Sequence, residues 1–150
     1  MPKPEKKPFL LNELLRKLEI LLETDFRENQ ITFSVQCHPL SIEINGDENQ
    51  LSQVFLNLLK NAMQALEGRT DGVISLRVSQ TEHILIEIAD NGIGIPEELQ
   101  EKVFIPFFTT KSEGTGIGLS LCKQIIRQHQ GHLSMGISQP GKTIFIIELP

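Results

Sequence analysis

The chain contains no tryptophan and no tyrosine, so it lacks most of the aromatic surface on which the bases of single-stranded nucleic acids stack. It also lacks an excess of cations. Lys and Arg total 14 against 19 Asp and Glu, for a net charge of −5, and a basic surface suited to phosphate backbones is therefore excluded. The two cysteines, Cys37 and Cys122, lie far apart and form no CxxC pair. They read as buried thiols in a reducing compartment, not as a disulfide framework or a zinc ribbon. No apolar run approaches the roughly 20 residues of a membrane span, and no signal-peptide pattern opens the chain. The expectation is a cytoplasmic domain, whether or not its parent protein is membrane-anchored, that itself contacts neither nucleic acid nor membrane; in isolation it is expected to be a monomer. No GxSxG motif supports a nucleophilic triad, and His38, His83, His129 and His132 make no metal-ligand cluster by spacing.

What remains is an ordinary globular composition, 39% hydrophobic and 22% charged over 150 residues, enough for one domain with a substantial core. Residues 1–8 are rich in Lys and Pro and read as a linker or a cut end, leaving 9–150 as the domain. Phe9 to Glu23 has helical spacing, with Leu11, Leu14, Leu15, Leu18, Leu21 and Leu22 on one side. Ile31 to Val35 and Ser41 to Ile44 read as strands, the second closed by an Asn45-Gly46 turn. Val73 to Val78 and Ile84 to Ile88 alternate as an antiparallel pair. Pro96-Glu97-Glu98 opens a short helix that ends near Phe104. A second long helix follows Gly114 to Gly118 and is capped by Gly131. His132 to Ile137 and Lys142 to Leu149 are the last two strands. The expected fold is α+β: a two-layer α/β sandwich of a mixed, mostly antiparallel sheet with three main helices on one face.

The helix from Asp47 to Leu66 organises the rest. Asp47 is its N-cap, with Gln50 in the capping-box position. Leu51, Val54, Phe55, Leu58, Leu59, Ala62, Ala65 and Leu66 fill one side. The opposite side carries Gln50, Gln53, Asn57, Lys60, Asn61 and Gln64. Solvated faces favour Glu, Lys and Arg, yet only Lys60 is charged here. Asn57 and Asn61, four apart, point their amides the same way. That face either packs against a loop or lines a ligand or metal site.

Three further stretches carry chemistry. Asp90 ends a strand before a glycine-rich turn, where a carboxylate can accept a hydrogen bond from an exocyclic amine; the alternative is a simple Asx turn. Gly92 and Gly94 flank Ile93 and suggest close backbone approach. Gly114-Thr115-Gly116-Ile117-Gly118 precedes a helix, so its N–H groups and the helix dipole make a phosphate cradle, although the Gly-Lys-Ser/Thr ending of a P-loop is missing. A hinge is the alternative there. Phe104, Phe107 and Phe108 precede Thr109, Thr110 and Lys111, an arrangement expected of a lid that brings a cation to a phosphate, or of a plain hydrophobic anchor.

Taken together these stretches resemble the ATP-binding catalytic domain of bacterial sensor histidine kinases, within the GHKL (Bergerat-fold) ATPases. The N box resembles Asn57-Leu58-Leu59-Lys60-Asn61-Ala62. The G1 box resembles Asp90-Asn91-Gly92-Ile93-Gly94-Ile95-Pro96. The F box resembles Val103 to Lys111, and the G2 box Gly114 to Leu119. Gly141-Lys142-Thr143 and the closing strand are similar to the family's end. The resemblance implies a Bergerat fold that uses ATP and Mg²⁺. Asp90 would take the adenine amino group, with Thr143 nearby through water. Asn61, helped by Asn57, would hold the metal. Lys60, Gly92, Gly94, Ile95, Thr110, Gly114, Thr115, Gly116, Ile117, Gly118 and Leu119 would contact the nucleotide. The catalytic set would be Asn57, Asn61 and Lys111, with Lys111 reaching the terminal phosphates. Gyrase, MutL and the heat-shock chaperone ATPases would place a Glu at the position of Asn57 to activate water, and an amide cannot act as a general base. This chain also departs from the family at Gln64-Ala65, where many histidine kinases carry a basic and then an aromatic residue, which puts one phosphate and one adenine-side contact in question. The implied partners are a dimerisation domain bearing the acceptor histidine and a downstream response regulator. The alternatives are a self-contained GHKL ATPase or ATP-driven clamp, and a GHKL kinase of protein serine.

Overall fold

The computed structural model describes residues 2–106, 108 and 118–150. Its main sheet has five strands in the order β2-β4-β5-β7-β6, formed by β2 (Ile31–His38), β4 (Gly72–Gln80), β5 (Ile84–Asp90), β6 (His132–Gln139) and β7 (Lys142–Leu149). The pair β2 and β4 is parallel, and every other pair in this sheet is antiparallel. A parallel pair cannot be closed by a tight turn and needs a crossover. The helix α2 (Glu48–Ala65) lies in that crossover. Alternation along the strands then sends Ile74, Leu76, Val78, Ile84, Ile86, Ile88, Phe145, Ile147 and Leu149 into one buried layer. Against this layer pack α1 (Leu11–Glu28), α2 and α4 (Gly118–Gln128). The result is the expected two-layer arrangement. Side chains such as Phe55, Leu58 and Leu59, at most 1% exposed, each contribute about 1.5–3 kcal/mol relative to exposure.

Several local expectations change. The first helix starts at Leu11, because Lys7–Leu10 form a strand, β1, that pairs antiparallel with β3 (Glu43–Gly46). Lys7 and Pro8 thus belong to a strand, and so do Asn45 and Gly46, which the dipeptide alone marks as a turn. Pairing supplies partners along Lys7–Gly46, and this outweighs the local turn preference. Gly46 has a packing reason instead: a Cβ there would lie 2.9 Å from Leu51 Cδ1 and 3.2 Å from His129 Cδ2. Leu21 is 63% exposed. It sits about 20° outside Leu14 on the helical wheel, beyond the edge of the buried stripe, which continues instead through Phe26, stacked on Phe33. Cys122 is buried, but Cys37 is only partly so.

The end of α4 also differs from the sequence reading. Gln130, not Gly131, takes the left-handed conformation, at φ 59. Gln130 N–H donates to Arg127 O and Gly131 N–H to Ile126 O, the paired bonds of a Schellman closure. Gly131 is required by proximity: a Cβ would stand 2.5 Å from the Glu148 carbonyl oxygen of β7.

Candidate functional site

Asp90, the last residue of β5, is 7% exposed and lies in register with Thr143 of β7, which is 3% exposed. Two buried polar side chains thus sit side by side at one end of the sheet. The Asp90 carboxylate accepts Gly92 N–H at 2.9 Å. The Thr143 hydroxyl is 2.9 Å from Ser138 Oγ, and Ser138 Oγ also accepts Ile95 N–H at 2.8 Å. Ser138 follows a register irregularity in β6, between Met135 and Ser138. A bulge of this sort re-aims a side chain, here toward the turn after Asp90.

That turn is held on all sides. Asn91 accepts Val73 N–H and donates to Asp71 O through its amide, and Arg69 donates to Asn91 O at 2.8 Å. Ile93 N–H donates to Ala65 O, and Gly141 N–H donates to Gly92 O. A Cβ on Gly92 would stand 2.5 Å from Ala65 O, and one on Gly94 would stand 2.6 Å from Gln139 O, with φ of Gly94 at +79. Both glycines are therefore needed for close approach of backbone to backbone, and the end of α2 is locked under the turn. Gln100, in the short helix α3 (Glu97–Gln100), donates to Ile95 O and Ser138 O. Ile93 itself is 71% exposed.

The other end of α2's polar face meets the start of α4. A Cβ on Gly118 would have Asn57 Cγ as its nearest neighbour, at 3.8 Å. Asn57 and Asn61 are both half-buried, Lys60 is exposed and Leu119 is half-buried. The Cys122 thiol of α4 donates weakly to Val54 O of α2, at 3.8 Å, and burial pushes its pKa up to about 12. From Asn57 to Ala65 is eight residues of helix, roughly 12 Å, so one face of α2 spans from the first turn of α4 to the turn after Asp90. Thr110, Lys111, Gly114, Thr115, Gly116 and Ile117, together with Phe107 and Thr109, lie outside the described residues. Among the described residues no group of three or more His, Cys, Asp or Glu could hold a metal; the metal candidates Asn57 and Asn61 are amides.

Sequence reasoning does not single out Ser138, Gln100 or Arg69, while Cys122, read as a buried thiol, is one. None stands in a motif of its own, and each matters through tertiary contacts. The two thiols make one such contact testable. Thiolate is the nucleophile, and burial raises both groups, Cys37 less completely than Cys122. Native alkylation followed by peptide mass spectrometry is expected to mark Cys37 first and Cys122 only on unfolding. Equal rates would mean that α4 is not closed on α2.

Residues 46–150 match the profile of the histidine kinase-, DNA gyrase B- and HSP90-like ATPases. Sporulation kinase C of Bacillus subtilis (strain 168) is 37% identical over 143 residues, which cover 93% of this chain and 33% of that protein. The sensory histidine kinase/phosphatase NtrB of Rhodobacter capsulatus is 35% identical over 161 residues, covering 98% and 44%. The chain thus spans less than half the length of these curated relatives. Among solved structures, the nucleotide-free catalytic domain of histidine kinase ThkA superposes with a TM-score of 0.88 at 36% identity, covering 97% of this chain and 95% of that one. ThkA in complex with response regulator protein TrrA gives 0.84 at 33% identity, covering 98% and 42%. No helix among the described residues is long and apolar enough to cross a membrane. The chain belongs to the histidine kinase-, DNA gyrase B- and HSP90-like ATPases, and within them it is an ATP-binding catalytic domain of the histidine kinase type.

Proposed function

We propose that the domain binds ATP with Mg²⁺ and supplies the γ-phosphoryl group to a histidine on a separate dimerisation domain, from which a response regulator is phosphorylated in turn. The observation that carries this reading is the span of α2. From Ala65, under the turn that follows Asp90, to Asn57, beside the start of α4, the helix spans roughly 12 Å, about the reach of a nucleoside triphosphate from base to phosphates. Asp90, buried and ionisable, would accept the adenine amino group. Asn61 and Asn57 offer amide oxygens, hard donors that suit Mg²⁺, which takes few protein ligands and completes its shell from phosphates and water. The α4 terminus, continued by Gly114 to Ile117, would receive the phosphates, and Lys111 would approach them from the lid. Bound metal would neutralise charge on the transferring group. The chain's own residues would position and orient it, which is most of what phosphoryl transfer asks of a protein.

Asn57 favours transfer to a side chain over hydrolysis. A general base is typically worth about 10²–10⁴ in rate, and an amide cannot supply it. No acceptor motif occurs here either: the four histidines are followed by Pro39, Ile84, Gln130 and Leu133, not by the acid expected after an acceptor. With γ-labelled ATP the chain alone is expected to take up no label. Addition of a cognate dimerisation domain should give acid-labile label on the added domain only. Stable label on residues 1–150 would move the assignment to a serine kinase, and multiple-turnover phosphate release by the chain alone would move it to an ATPase.

A further inference from the structure

We propose that His129 is a positioning residue for the phosphate end of the nucleotide site, fixing the axial position of α4 on α2 so that Gly118 stays opposite Asn57. The inference rests on the ATP reading above. The two helices run antiparallel and meet at three levels. Gly118 faces Asn57, the Cys122 thiol lies 3.8 Å from Val54 O, and His129 Nε2 accepts Asp47 N–H at 3.0 Å. The first is a close approach without a bond, since glycine carries no Cβ, and the second is a weak thiol bond. Of these three contacts, the third is the short, directional one of the kind that resists sliding.

The ring is fixed by its neighbours. His129 is 5% exposed, and its Nδ1 lies 2.8 Å from Ile125 O. A carbonyl can only accept and a backbone N–H can only donate, so the ring carries its proton on Nδ1 and its lone pair on Nε2. In a capping box Gln50 would satisfy the Asp47 N–H. Here Gln50 Oε1, the acceptor such a box would use, has no partner among the described residues, its Nε2 donates to Pro2 O, and the end of α4 caps the start of α2. The Asp47 carboxylate is occupied separately, by Glu5 N–H and Gln50 N–H. Those bonds, Glu5 first, hold its carboxyl below the ordinary range. The Asp90 end of the site hangs on β5, β7 and the last turn of α2, and the His129 ring bonds Asp47 and Ile125, which belong to none of them.

A slip of α4 should therefore harm phosphate binding and spare the base. His129→Leu removes the acceptor. The affinity for ATP with MgCl₂, measured by calorimetry, is expected to fall about tenfold, the equivalent of one hydrogen bond of ordinary strength. The affinity for adenosine, followed by chemical-shift titration, should stay the same. His129→Gln, whose Oε1 can reach the place of Nε2, should restore most of the ATP affinity. Gly46→Ala crowds Leu51 Cδ1 first and then the imidazole, at 3.2 Å, without removing it; it should show the same ATP-selective loss, so the proposal remains testable if His129→Leu does not fold. Equal losses for ATP and adenosine, or a Gln variant no better than Leu, would overturn it. Failure of the wild-type domain to bind ATP would overturn the nucleotide reading itself.

Discussion

Replacing Asp90 with Ala is expected to lower ATP affinity by about 10- to 150-fold, the equivalent of the roughly 1.5–3 kcal/mol lost with a hydrogen bond to a charged group. The expectation follows from placement. Asp90 is 7% exposed, ends β5, and stands in register with Thr143. A carboxylate in that setting has little water to fall back on when a ligand amine is its partner. Asp90→Ala also removes the acceptor for Gly92 N–H, so Asp90→Asn is the companion variant. It keeps that acceptor and offers an amide to the amine. Both should lose affinity for adenine nucleotides while unfolding at temperatures within a few degrees of wild type. Equal ATP affinity in wild type and Asp90→Ala, measured by calorimetry, would remove Asp90 from base recognition.

The second large effect is expected at Asn61. If its amide oxygen holds the metal, Asn61→Ala should weaken ATP binding at least tenfold in MgCl₂, a shortfall on the order of 1.4 kcal/mol or more, and far less in EDTA. The comparison between the two conditions is the informative part. Asn61 is half-buried on the same face of α2 as Asn57, so a general packing defect would lower affinity equally with and without metal. An equal loss would assign Asn61 to packing or to direct nucleotide contact. Asn57→Ala should show a smaller version of the same metal dependence.

The parts of this molecule that were legible in the sequence are those where period and chemistry agree. The α2 stripe of Leu51, Val54, Phe55, Leu58, Leu59 and Ala62 repeats at 3.6 residues and is buried as expected, which leaves the amide face where the spacing puts it. Asp90 could be singled out because a strand ran straight into glycines. The misread pieces are those whose partners are distant in sequence. Asn45-Gly46 carries a turn signature, but its strand neighbour is Lys7-Pro8, and nothing local announces that pairing. Gly131 lies at a helix end, so it reads as a cap. Its actual constraint is Glu148 of β7. Ser138 and Gln100 act through a bulge and a turn, and their chemistry is too common to be noticed before the fold brings them to Ile95. The capping box at Asp47 was half right, since Asp47 accepts Gln50 N–H while its own N–H goes to another helix.

The order of strands has a consequence for the birth of the site. β7 comes after every other described strand in the chain, yet it lies inside the sheet, between β5 and β6. During synthesis, β4 and β5 can zip together as a local hairpin, and β6 emerges with no neighbour from the main sheet beside it. Only when β7 slots into the gap does Thr143 arrive next to Asp90. Pairings between strands far apart in the sequence form late, because the loop between them must be closed first. Until β7 has paired with β5, the Asp90 carboxylate stands without the Thr143 hydroxyl at its side.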